Sequence, residues 1–173
     1  VLMYRTDILE RLGVKPPSTL PELTEACAII TAADPNITPM AVRGVRFWSS
    51  IHTAPISIAE SYGVSDFVRS GDGLDTALDS DASIRFHTDY VAMIKACAPD
   101  SWANDNWYQV VDGLSTGKTA MAMDANMFGF WNNIEGASEA SGKIAFAPPL
   151  TAPDSDEFAS NIWIWSLAIN AAS

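Results

Sequence analysis

Gly117-Lys118-Thr119-Ala120-Met121-Ala122-Met123-Asp124 settles the fold class of this 173-residue chain. Residues 107–116 before it carry a helical apolar pattern, and Gly117 stands where a helix end favours a residue that accepts left-handed backbone. Lys118 then lies beside the negative end of the helix dipole, and residues 119–123 make a buried run of strand length. The same stretch, taken with Asp112 and Gly113, approaches the phosphate-binding pattern G-x-x-x-x-G-K-[ST]. Gly113 comes one residue late, and Gly117 follows a helix and precedes a strand, whereas a bound phosphate needs the start of a following helix. ATP binding is rejected on that order.

Reading outward, residues 1–4 form a short strand, and 7–12 a brief helix that Gly13 ends. Thr19 N-caps the next helix: Pro21 fits an early position, Glu22 completes a capping box, and Leu23, Cys27 and Ile30 form an apolar stripe that ends near Ala33. A strand over 39–42 leads into Arg43-Gly44-Val45-Arg46-Phe47-Trp48, whose mixed polar and aromatic character suits a site loop. A helix starts at Thr53 or Ala54 and closes at Gly63, and 64–83 reads as a long surface excursion. Phe86, Tyr90, Met93 and Cys97 share one face of a helix over 84–98 that Pro99 stops. A helix over 128–134 and strands over 144–147 and 162–169 complete a single α/β domain across 1–173, with a central sheet covered by helices on both faces. The strands at the two ends start and stop abruptly, as in an internal piece of a longer protein.

Composition narrows the function. Apolar residues make up 48% of the chain, enough for a core, and a net charge of -11 argues against nucleic acid or anionic lipid as partner. The longest apolar stretch, 162–169, is far shorter than the roughly 20 residues that span a bilayer, and no export signal opens the chain. Cys27 and Cys97 each sit in an apolar pattern without metal or redox spacing; two buried thiols are the simpler reading, a disulfide the alternative. Asp72, Asp75, Asp79 and Asp81 lack calcium-loop spacing, and no nucleophile elbow or zinc motif occurs with only two histidines, His52 and His87.

Six tryptophans and few charges point elsewhere. Sugars and polyols present C–H faces that stack on indoles and hydroxyls that need Asp, Asn or Arg partners. Trp102 and Trp107 also fit packing anchors, and Trp131 a core residue. Trp163 and Trp165 share a face of the 162–169 strand, so one suits the core and the other a cleft.

Several motifs in order resemble the family 1 extracellular solute-binding proteins. They are Leu2-Met3-Tyr4-Arg5-Thr6-Asp7-Ile8-Leu9, Pro16-Pro17-Ser18-Thr19 with Glu22-Leu23, Ser61-Tyr62-Gly63, Gly117 to Asp124, and Trp165 to Ser173. The resemblance covers the whole chain. It implies a type II periplasmic binding protein lobe, a central mixed sheet flanked by helices, without cofactor, metal or catalytic group. It further implies the inter-hinge part of the C-terminal lobe of an ABC importer's receptor, periplasmic or extracellular and membrane-associated, with a small sugar or polyol as ligand and a membrane permease as partner. Half the cleft would lie on another lobe, so binding by this piece alone is expected to be weak or absent.

By the same resemblance, the loop after 39–42 supplies ligand groups from Arg43, Arg46, Phe47 and Trp48, with His52 a weaker candidate. The loop after Met123 supplies Asp124 and Asn126, and Trp163 holds the place of a stacking aromatic that Trp165 supports. Asp124-Ala125-Asn126-Met127 stands where the maltose receptor would carry a stacking tryptophan, which favours a ligand smaller than an oligosaccharide. Two other readings remain: a carbohydrate-active enzyme using Asp124 with a second carboxylate such as Glu135, and a ligand-sensing regulatory domain of the same fold.

Overall fold

The computed structural model describes residues 1–47, 54–162, 164 and 166–170. Its main sheet has four strands: β1 (Leu2–Arg5), β2 (Thr38–Ala41), β5 (Thr119–Met123) and β6 (Ile144–Ala147), in the order β2-β5-β1-β6. β2 and β5 run parallel, while β1 runs antiparallel to both β5 and β6. The sheet is therefore mixed, and β5, with all five residues buried, forms part of its centre.

Side-chain alternation sends adjacent residues of one strand into opposite layers. Leu2, Met121 and Met123 join α1 (Thr6–Leu12), α2 (Leu20–Ala33), α3 (Ala54–Ser61) and α4 (Asp81–Cys97) on one face. Met3 and Ala122 join α5 (Trp107–Ser115) and α6 (Asn126–Asn133) on the other. On that second face, α6 comes close to the sheet at Gly129, where a Cβ would stand 2.6 Å from the Phe146 ring and 2.9 Å from Met3 Sδ.

Local chemistry sets most boundaries where the sequence puts them. Gly13, Gly63 and Gly117 adopt φ of 65°, 79° and 69° beyond helix ends. Thr19 Oγ1 accepts from Glu22 N at 3.3 Å, while Glu22 reaches back to Ser18 N at 2.8 Å, one residue earlier than a standard capping box. Asn106 and Gln109 close a full box at the start of α5.

Four expectations are corrected. Within 64–83 the structure forms a hairpin, β3 (Phe67–Ser70) with β4 (Gly73–Thr76), in register Phe67↔Thr76 to Ser70↔Gly73. Gly71, at φ 60°, takes the first place of its two-residue turn, the geometry that matches strand twist. All eight strand residues are exposed, so the period that betrays a half-buried strand is absent. Helix α4 also begins earlier than expected, because Ser80 Oγ caps it by accepting from Ser83 N at 3.3 Å.

Cys27 and Cys97 form a disulfide rather than remaining thiols. The Leu23–Cys27–Ile30 stripe of α2 and the Phe86–Cys97 stripe of α4 face one another in the same core, which brings the two Cα atoms to 5.3 Å. The fourth correction concerns 162–169, of which 163 and 165 lie outside the described residues. Ile162, Ile164 and 166–170 take no strand conformation, and Ile162, Ile164, Leu167 and Ile169 are largely exposed. An apolar run favours extended backbone, but a strand also needs a sheet edge, and no described strand pairs with this segment.

Candidate functional site

β2 and β5 are the parallel pair, and their carboxyl ends lie side by side because Met40 pairs with Met121 and Ala41 with Ala122. In open α/β sheets the loops leaving such ends build ligand sites. From β2 the chain runs through Val42, fully buried, to Arg43. From β5 it runs to Asp124 and turns into α6.

These two residues meet. Arg43 Nε donates to Asp124 Oδ2 at 2.7 Å and Nη2 donates to Oδ1 at 2.6 Å, a bidentate fork across 81 residues of sequence. The Asp124 side chain is 0% exposed and that of Arg43 10%. Ala125 N also donates to Asp124 Oδ1, at 2.7 Å, so both carboxylate oxygens are engaged. A paired, hydrogen-bonded carboxylate is the form in which a buried charge is tolerated. Its effect is to hold the guanidinium plane, and with it the loop after β2, against the loop after β5.

Around this pair the other expected residues divide. Arg46, Phe47 and Asn126 are exposed, the first two on the loop beyond Arg43 and the third as the opening residue of α6. Trp48, His52, Trp163 and Trp165 lie outside the described residues. Beside Asp124, a shallow open recess is lined by Ala54, Ser57 and Ile58 of α3, by Met123, and by Pro149 and Leu150 beyond β6.

A further contributor is a 3-10 turn, Trp102–Asn104. The Asp105 carbonyl accepts from both Gly44 N and Val45 N at 3.0 Å, and the Trp102 indole lies against Gly44. The sequence reading weighed Trp102 only as a packing anchor or stacking surface. The Arg43-Gly44 glycine was its available signal, since Gly44 has no left-handed φ to explain it. Downstream, Trp107 stacks on Phe128 with ring centroids 5.6 Å apart and planes at 9°, joining the first turns of α5 and α6 beside the site.

Among the described residues no group of three His, Cys, Asp or Glu is placed to hold a metal ion. A mixed sheet covered on both faces, with an arginine–carboxylate pair and exposed polar and aromatic groups at its parallel strand ends, defines an α/β domain of the open-sheet class. The chain belongs to the bacterial extracellular solute-binding protein family, whose pattern matches residues 1–173.

Along its whole length it is 26% identical to an erythritol/L-threitol-binding protein of Mycolicibacterium smegmatis, of which it spans 36%. Two crystal structures share its fold. An ABC transporter solute-binding protein of Agrobacterium radiobacter in complex with ribitol superposes with a TM-score of 0.76 at 19% identity, over 91% of this chain and 39% of that one. One of Agrobacterium vitis with bound D-mannitol gives 0.71 at 20% identity, over 88% and 36%. The fold is that of the type II periplasmic binding proteins.

Proposed function

We propose that this chain is the inter-hinge part of the C-terminal lobe of a receptor that captures a small polyol or sugar for an ABC importer. The observation that carries the reading is the Arg43–Asp124 fork at the carboxyl ends of β2 and β5. Such a fork fixes the plane of the guanidinium and the two loops that carry its partners. Arg46, Phe47 and Asn126 stand exposed in the segments that follow those strands, and the family resemblance proposes Trp48 and Trp163 as stacking residues. The relatives' ligands, erythritol or threitol, ribitol and mannitol, support a linear polyol over a longer saccharide.

The lobe contributes one wall of a cleft, and closure against a second lobe presents the filled receptor to a membrane permease. Its place is outside the cytoplasm, periplasmic or extracellular and held near the membrane. The Cys27–Cys97 disulfide supports that compartment, because oxidising surroundings preserve such bonds.

No catalysis is assigned. Asp124 is committed to Arg43, and Glu135, its suggested partner, follows the far end of α6. That eight-residue helix is about 12 Å long, against the roughly 5–10 Å that glycosidase carboxylates require. Titration calorimetry of the full-length receptor with polyols, monosaccharides and disaccharides tests the reading, with chromatography of the ligand afterwards. Saturable binding with the ligand returned unchanged is expected; turnover would overturn it. The 173-residue chain alone is expected to bind weakly or not at all.

A further inference from the structure

We propose that Gly44, Trp102 and Asp105 form a seat that positions Arg43, and that Trp102 is therefore a positioning residue for ligand capture although it lies on a different element from the ligand loops. The inference rests on the reading of the Arg43 loop as a ligand loop.

Gly44 is the point of closest approach. A Cβ built there would overlap the Trp102 carbonyl oxygen and Cε2 of its indole, and would stand 2.6 Å from Cδ2. Its backbone is outside the left-handed region, so conformation does not demand glycine at this position. Proximity does. With no side chain in the way, the loop settles onto the 102–104 turn and two successive amides, Gly44 N and Val45 N, reach the same Asp105 carbonyl at 3.0 Å.

The turn that receives them is braced internally. Trp102 N donates to Pro99 O at 2.9 Å, Asp105 N to Trp102 O at 3.0 Å, and Ser101 Oγ to the Asp105 carboxylate at 3.1 Å. Asp105 is 8% exposed. The Trp102 indole N–H is buried with no acceptor among the described residues, so the ring is placed there by packing.

Arg43 is thus fixed from two sides: its guanidinium by Asp124, and its backbone by the amides immediately after it. A guanidinium fork tolerates little displacement, because both bonds depend on one plane. Freeing residues 44 and 45 releases one of those two constraints.

Hydrogen exchange by mass spectrometry on the full-length receptor tests this without any ligand. Trp102→Ala is expected to speed exchange of the amides at 44 and 45 about tenfold or more, with those of β5 unchanged, while Trp102→Phe retains protection. Calorimetry with erythritol, ribitol and D-mannitol adds a second readout. For whichever polyol binds, Trp102→Ala and Gly44→Ala should each weaken affinity about tenfold, and Trp102→Phe should restore most of it. Gly73→Ala, whose Cβ meets only Ser70 O at 3.7 Å, serves as the unaffected control.

Unchanged protection at 44 and 45 in Trp102→Ala would overturn the seat, as would an equal rise in exchange throughout β5, which marks general loosening. If no polyol binds the unsubstituted receptor, the functional reading fails while exchange still decides the seat.

Discussion

Two long-range ties hold this domain, and they differ in kind. On one face Cys27 and Cys97, separated by 70 residues, staple α2 to α4 in an apolar core. At the strand ends Arg43 and Asp124, separated by 81 residues, are tied by a charged fork beside an open recess. The covalent tie acts mainly by restricting the unfolded chain and asks nothing of its neighbours but space. The ionic tie removes two charges from water and is stable only while both partners remain in register. One is suited to holding the lobe together, the other to holding two loops in a geometry that a ligand can read.

Breaking the covalent tie should have the largest effect on stability and the smallest on binding. Cys97→Ala, or reduction, is expected to lower unfolding free energy by roughly 4 kcal/mol from the closed-loop entropy alone. Polyol affinity of the full-length receptor should change less than about twofold, since Asp124, which holds the Arg43 guanidinium, lies on the loop after β5 rather than on either stapled helix; urea denaturation and calorimetry measure the two.

Asp124→Asn reverses that pattern in part, because it leaves a nearly buried guanidinium without its counter-charge. About 3 kcal/mol of stability and most of the affinity should go together. Arg43→Lys separates them: the charge stays but the planar fork is lost, so affinity should fall about tenfold with roughly 1 kcal/mol lost in stability.

A smaller effect belongs to Asp7. Its hydrogen bonds from Arg5 Nε and Nη2, at 2.8 and 2.7 Å, hold its carboxyl below the usual aspartate value. Its contribution is present above the unfolded-state pKa and is lost as pH falls through the lower folded one. With the Asp7 side chain 42% exposed, that contribution is below about 1 kcal/mol. Asp7→Asn should lower stability at neutral pH by less than about 1 kcal/mol and leave the acid end, where Asp7 is protonated in both states, almost unchanged.

The stapled face and the strand ends also differ in how well the sequence announces them. Capping residues and apolar stripes at Thr19, Leu23, Phe86 and Met93 act within one or two turns, so α2 and the body of α4 are legible locally. The same stripes contain Cys27 and Cys97 but not their distance, which depends on how two helices pack, so the pattern alone does not choose between thiols and a disulfide. For the site, the order of motifs nominated Arg43 and Asp124, and the fold brings those two side chains into contact. That they bind one another, and that Gly44 rests on Trp102, depends on β2 and β5 being neighbours in the sheet. The 162–169 run marks the opposite failure, since its apolar pattern is strong and its described residues take no strand conformation. Pattern reports a preference for extended backbone; an edge to pair with is a property of the assembled sheet.

Calorimetric titration of the full-length receptor and its Arg43→Lys variant with a polyol panel tests the central claim most directly. The account predicts saturable binding of at least one polyol, about tenfold weaker in the variant, with the ligand recovered unchanged. Equal affinity in both proteins would contradict the role given to the Arg43–Asp124 fork, and chemical conversion of the ligand would contradict the receptor itself.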